Sequence, residues 1–464
     1  MKIKTMQAHP GHLQRRLGLT SAISITVGAV IGSGIFLKPL VIAQSLPSVT
    51  WIFMLWFALG IVCLCGAFAY AELGSMFPDA GGQYVFLREA WGEEAAFLYG
   101  WVFFWGINSG TMAALATAFA DYLLPLFNLD PAHREAHSWL PGGIATLMII
   151  LLALVNHFGV IFGAALQNLS TFAKLGALGL IVIGGLLITD PENPATFFTI
   201  AQNPTTELHI AGVLTAFIGI FWAYEGWYQL PFNSQELKRP ERNLPLGLIV
   251  GLFIVIAFYI AINAIYLHWV PFQEMRGLPL GANQQVPYLT VARIFSPQVA
   301  NYLTLLVAIS ILGAANPNML SSTRAFYAMG EDGLVPNALN WIHPKYGTPT
   351  IAIWTQAIWA VFIVLYLEKF HDITAFVVFD SFMFYCLTVA AVYRLRFTRP
   401  NHDRPYRCGG YPITPALFIL VSIGFIATLL LNPDERRHAL VGLAILAAGI
   451  PYYYLMLRIR RPGL

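Results

Sequence analysis

Apolar positions along the chain gather into twelve long runs separated by short polar segments. They are Ser21–Leu46, Trp51–Ala71, Leu98–Phe127, Leu140–Val155, Gly163–Ile188, Ile210–Phe232, Leu246–Val270, Tyr288–Leu320, Ile351–Leu367, Ile373–Tyr393, Ile413–Leu431 and Ala439–Leu457. Most reach the roughly 20 residues that a helix needs to cross a bilayer core. The pattern predicts an all-α polytopic membrane protein with twelve transmembrane helices. The longest polar segments, Asp190–Leu208, Asn233–Asn243, Gly330–Thr350 and Leu395–Pro412, are loops with no room for a soluble domain. One membrane domain over residues 1–464 is therefore expected. Composition agrees: 57% of residues are hydrophobic and 11% charged, against about 25% charged in a soluble domain.

The start, MKIKTMQAHPGHLQRRLGLT, is polar and basic, and the run after it is long and has no cleavage site. No cleavable signal is expected, and the first run should stay in the inner or plasma membrane as a span. With the N-terminus placed inside, 18 Lys and Arg fall in inside segments and 7, Lys38 among them, in outside ones. That bias predicts a cell-membrane protein with both termini cytoplasmic. It also accounts for the net charge of +3, so no nucleic-acid partner is implied. Cys63, Cys65, Cys386 and Cys408 lack zinc-site spacing and read as small buried hydrophobes. The histidines, including His157 and His268 near span ends, show no ligand spacing either. Neither a metal nor a cofactor is expected.

Two runs are interrupted alike. VGAVIGSGIF (Val27–Phe36) breaks the first, and FIGIFWAYEGW (Phe217–Trp227) breaks the sixth, with Gly219 and Gly226 bracketing aromatics and a glutamate. Matching interrupted helices in two halves mark an inverted-repeat transporter with its site at the bilayer midplane. The halves would span about 20–189 and about 210–397, with two further helices at about 413–459. Unwinding a helix in lipid frees N–H and C=O groups at a cost of several kcal/mol each, and a zwitterion can satisfy both kinds. Amides at Gly32, Ser33 and Gly34 can hold a carboxylate, helped by the positive end of the following half-helix. Carbonyls near Val30, Trp222 and Glu225 can accept from an ammonium. Gly28 and Gly32 also form a GxxxG, which packs helices; the second break in the matching span favours the ligand reading. Lys174 lies inside the fifth run. There it costs about 2.5–3.5 kcal/mol on insertion scales, so a functional role is its default, with snorkelling to the cytoplasmic face as the alternative.

VGAVIGSGIF resembles the first-span signature of the L-type amino acid transporters, within the amino acid–polyamine–organocation superfamily. The similarity continues through AYAELGSMFPDAGGQYVFLREAWG (Ala69–Gly92), GIFWAYEGW (Gly219–Trp227), ELKRPERNLPLG (Glu236–Gly247), NPNMLSSTRAFYAMGEDGLVP (Asn316–Pro336) and IHPKYGTP (Ile342–Pro349). The resemblance implies a LeuT-like fold of five plus five inverted spans and two more. It implies that Gly32, Ser33 and Gly34 take a substrate carboxylate, with Val30, Ile31, Trp222, Ala223 and Glu225 completing the site. Trp222 falls where the family places an aromatic gate that closes over the substrate from outside. In related sodium-coupled transporters a sodium ion lies between the first and eighth spans. In this family a fifth-span lysine occupies that region, and Lys174 matches it. Its ammonium would tie the backbone near Gly28 to the eighth span, with Ser310 the candidate there.

Glu225 departs from the small residue that many members carry. It could contact a cationic side chain, hydrogen-bond a neighbouring helix or bind a proton. Gly81–Gly92 is expected to form an inside loop and a short interfacial helix at the cytoplasmic exit, or a plain connector. Eukaryotic relatives hold a heavy subunit through a cysteine between spans three and four. The corresponding NLDPAHREAHS (Asn128–Ser138) has none, so no covalent heavy subunit is expected and the chain resembles the stand-alone prokaryotic branch. The implied activity is sodium-independent exchange of free L-amino acids, neutral ones first, by a protein surrounded by membrane lipid. A proton-coupled symporter of the same fold stays open. A channel would show charge rings or filter repeats, a sensing receptor is the other non-transport reading, and no loop offers the groups of an enzyme site.

Overall fold

A computed structural model describes residues 15, 17–78, 81–127, 139–158, 174, 176–188, 208–279, 285–331, 333–336, 338–339, 341–367 and 370–460. The described chain is almost entirely helical. The first apolar run is split into α1 (Leu19–Val30) and α2 (Gly34–Ser45), and α3 (Val49–Met76) is continuous. A short α4 (Gln83–Trp91) precedes α5 (Glu93–Val102) and α6 (Ser109–Leu123), then α7 (Trp139–Phe158) and α8 (Gly176–Leu187). The second half comprises α9 (Ile210–Tyr224), α10 (Pro240–Trp269), α11 (Phe272–Gly277), α12 (Gln285–Ile294) and α13 (Pro297–Glu331). It ends with α14 (Thr350–Leu367), α15 (Phe370–Thr398), α16 (Ile413–Leu431) and α17 (Pro433–Arg460).

Among the described residues, 10 spans are long and apolar enough to cross a membrane, and the bent pair α1–α2 makes 11. These match all the apolar runs except Gly163–Ile188, of which only Lys174 and 176–188 are described. The segment Asn128–Ser138 lies outside the described residues.

The third span is not uniform. Between α5 and α6, Phe103–Asn108 winds as a π-helix, a wider turn that loosens the regular bonding. Side chains take up its carbonyls: Ser109 Oγ donates to Phe104 O at 2.6 Å, and Trp359 Nε1 donates to Trp105 O at 2.6 Å. In a membrane such carbonyls have no water to turn to.

The closest helix partnerships are α3 with α10, α1 with α10, α6 with α13 and α2 with α9. Small residues permit the second: Gly247 and Gly251 of α10 lie against Ala22 and Thr26 of α1. At the far end of α3, buried Glu72 receives Arg396 Nη2 at 2.6 Å and Nε at 3.0 Å. Cys408 N donates to it at 2.6 Å, and Arg404 Nε stands 3.4 Å away. Removing one partner of such a buried set leaves uncompensated charge, at a cost of about 3 kcal/mol. Glu72→Gln is therefore expected to lower the thermal unfolding temperature in detergent by several degrees. An unchanged melt would show that the cluster carries no stability.

The stretch Gly81–Gly92 forms the short helix α4 between glycines of positive φ, Gly81 at 123°, Gly82 at 48° and Gly92 at 98°. Its inner face, Gln83, Phe86 and Leu87, is fully buried, and Trp91 Nε1 donates to Leu387 O at 3.1 Å. His157, in the last turn of α7, sits within an aromatic group and accepts from Trp354 Nε1 at 3.2 Å. All four cysteines are free thiols.

Candidate functional site

The two breaks face each other. In the first, Ile31 leaves the helix (φ −69°, ψ 94°), and α2 departs at 46° to α1. In the second, α9 ends at Tyr224, Glu225 is extended, and Gly226 takes φ +109° before a 3₁₀ turn over Trp227–Glu236. A Cβ on Gly226 would press on Ala29 O, and one on Gly34 would collide with the backbone of Ala223. Each break therefore carries a glycine that lets the other approach. The helix runs unbroken through Gly219, so the second break is narrower than its sequence suggested: it consists of Glu225 and Gly226.

Both donors and acceptors are freed at this junction. The first amides of a helix have no intrahelical acceptor, so those of Ser33 and Gly34 are available where α2 begins. Freed carbonyls of the first break meet two side chains. Lys174 Nζ donates to Gly28 O at 2.8 Å and also to Ile31 O. Tyr259 OH, from α10, lies 3.0 Å from Val30 O and 2.7 Å from Ala223 O. Its one proton thus serves one carbonyl from each break. Ser310 is buried on α13, and among the described residues Lys174 bonds to the first break and not to Ser310.

Tyr259 was invisible in the sequence, one aromatic within an apolar run. Tyr259→Phe keeps its ring against Trp56 and Tyr224, each with centroids 5.2 Å away. Only the hydroxyl is lost. A buried carbonyl left unpaired costs about 1–3 kcal/mol, so the substrate KM is expected to rise about tenfold with unchanged insertion. A KM equal to that of the parent protein would remove Tyr259 from the site.

Trp222 is buried, with Nε1 3.4 Å from Ser33 Oγ and its ring edge-on to Phe370 at 5.7 Å. It covers the start of α2. Glu225 turns to α15, where Tyr385 OH donates to its carboxylate at 2.5 Å and Ser381 Oγ lies at 3.5 Å. Tyr385 in turn packs on Tyr228 and Trp227 at 4.9 and 5.5 Å. The site therefore presents helix-start amides, freed carbonyls, an aromatic cover and a carboxylate in an aromatic cage. Among the described residues, no group of His, Cys, Asp and Glu could hold a metal ion.

Residues 17–455 match the family model described as amino acid permease. The chain is 30% identical over 454 residues to the human b(0,+)-type amino acid transporter 1, covering 98% of this chain and 90% of that one. It is 31% identical over 456 residues to the Bacillus subtilis (strain 168) serine/threonine exchanger SteT, covering 97% and 98%. Against the human large neutral amino acids transporter small subunit 2 it is 31% identical over 451 residues, covering 96% and 80%.

Proposed function

The chain belongs to the amino acid permease family, and from that premise we propose that it is a sodium-independent exchanger of L-amino acids working by alternating access. One observation carries the reading: two broken spans meet, and their breaks free helix-start amides and backbone carbonyls at one junction. A free amino acid bears its carboxylate and its ammonium on one carbon, which is the charge pattern such a junction complements. The carboxylate goes to Gly32, Ser33 and Gly34. The ammonium goes to carbonyls among Val30, Trp222, Ala223 and Glu225, with Ile31 at the turn and Trp222 as the gate above. Lys174 supports sodium independence, because its ammonium already supplies the first-break carbonyls with a fixed positive charge.

Substrate binding draws the broken helices together under Trp222, and rocking of α1, α2 and α9 then opens the opposite face. The bias of Lys and Arg supports a cell-membrane protein with both termini in the cytoplasm. Neutral amino acids are the first expectation, in keeping with relatives named for serine and threonine and for large neutral amino acids. Cationic ones form a second reading, favoured by the Glu225 carboxylate beside the second break and by similarity to a b(0,+)-type transporter. No cysteine lies between Asn128 and Ser138, which leaves a disulfide-linked subunit nothing to bond to there.

The test is labelled amino acid uptake by liposomes containing the purified protein, with and without internal amino acid and with sodium or choline outside. Uptake should require internal substrate and ignore sodium. Uptake into empty liposomes that follows a proton gradient would replace exchange with symport.

A further inference from the structure

Lys38 lies on α2, about one turn beyond Gly34. Sequence placed it in an outside segment, yet it is 1% exposed. An ionisable side chain inside a membrane span is expensive and functional by default, and the substrate scheme gives this one no task. Its stem crosses α9 at Gly219, where a Cβ would stand 3.5 Å from the lysine Cδ. That is ordinary van der Waals distance, so the stem lies directly against α9 there.

Beyond Gly219 the ammonium reaches α15. It donates to Thr374 Oγ1 at 3.0 Å and stands 4.4 Å from the centroid of the Phe370 ring. The Thr374 hydroxyl itself donates to His371 O at 2.9 Å, which turns its lone pairs toward Lys38. Among the described residues, Thr374 is the lysine's one hydrogen-bond acceptor. The ring face adds an attraction that strengthens when the cation is desolvated, and the Glu435 carboxylate acts on the ammonium at longer range. Phe370 meets Trp222 edge-on, and Trp222 Nε1 reaches Ser33 Oγ. Ser33 stands at the head of α2, so the contacts close a ring: α2 to α15, α15 to α9, and α9 back to α2.

The α15 side of this ring is anchored. His371 Nε2 and His438 Nδ1 each lie 3.1 Å from the Glu435 carboxylate, and His438 Nε2 is 3.6 Å from Asp372. These bonds join α15 to α17 beside Phe370 and Thr374.

We infer that Lys38 is a positioning residue for the roof of the amino acid chamber, holding Phe370, and through it Trp222, over the amides that open α2. The inference rests on the substrate site proposed above. When α2 and α15 separate, the ammonium must leave the ring and Thr374. The roof is therefore complete only with α2 in its closed position, and loss of the lysine should weaken binding from the roofed face alone.

The experiment measures exchange KM separately from each membrane face, in oriented vesicles, for the parent protein, Lys38→Met, Lys38→Arg and Phe370→Leu. Methionine preserves most of the stem and removes the charge. Lys38→Met is expected to raise KM about tenfold from the face on which α2 ends and less than twofold from the other. Lys38→Arg should stay within threefold of the parent on both, and Phe370→Leu should repeat the one-sided shift. Equal KM changes on both faces, or none, would overturn the proposal. If Lys38→Met does not fold, Phe370→Leu decides, since it leaves the lysine and Thr374 in place; parent-like behaviour then sinks the idea. A parent protein that exchanges no amino acid defeats the functional reading instead, whereas an active parent matched by Lys38→Met defeats only the role of Lys38.

Discussion

Lys174→Met is expected to lower amino acid exchange about a hundredfold while the protein still inserts and purifies as a single species. Methionine keeps an unbranched apolar stem but brings no donor. The carbonyls of Gly28 and Ile31 then lose the ammonium that holds them. Hydrogen bonds to charged groups contribute about 1.5–3 kcal/mol each. Two at the lower bound give about 3 kcal/mol, close to a hundredfold in rate. No water replaces the donor in the membrane interior, so the last turn of α1 must rearrange, and with it the start of α2. Lys174→Arg should recover little, because a planar fork does not substitute for a compact ammonium between two carbonyls. Exchange per inserted protein is the measurement, and a loss smaller than threefold would show that the break holds its shape unaided.

Gly34→Ala should abolish measurable exchange and also destabilise the protein. The added Cβ would meet the Ala223 Cα and backbone nitrogen, not a side chain that can swing aside. The breaks must then part, which disturbs the close α2–α9 packing. Overpacking of this kind costs about 1–3 kcal/mol, visible as a lower unfolding temperature in detergent. A second change, Ala223→Gly, removes one of the colliding atoms and should restore part of the melting temperature but little of the transport. Full activity of Gly34→Ala would mean that the breaks need not touch.

The sequence made different parts of this molecule visible for identifiable reasons. The spans were legible because a bilayer selects long apolar runs whatever they pack against. Both breaks were legible because glycines beside a serine or a glutamate have little reason to sit in the middle of such runs. Lys174 stood out as a cation among leucines and glycines. What stayed hidden depends on pairing across the fold. Tyr259 earns its place by reaching two carbonyls from another span, and nothing in Leu246–Val270 announces that. Lys38 reads as an outside charge because Thr374, its one hydrogen-bond acceptor among the described residues, is 336 residues away. Gly219 resembles part of a break because a glycine gives the same signal whether it bends the chain or, as here, sits within a continuous helix. The Glu72 cluster and the bond from Tyr385 to Glu225 join residues 324 and 160 apart, beyond the reach of any local pattern.

The π turn over Phe103–Asn108 has a consequence for indexing the third span. A wider turn takes in about one more residue than an α-helical turn, and each residue in a helix advances the face by about 100°. Residues 109–123 are therefore phase-shifted against 93–102 by roughly a quarter revolution or more. An alignment that treats 93–123 as one regular helix would assign the wrong face to half of it. Deleting one residue within Phe103–Asn108 would let the turn close to a regular helix and leave α6 facing the same α13 neighbours, whereas a residue deleted from a regular turn would rotate every side chain beyond it by about 100°.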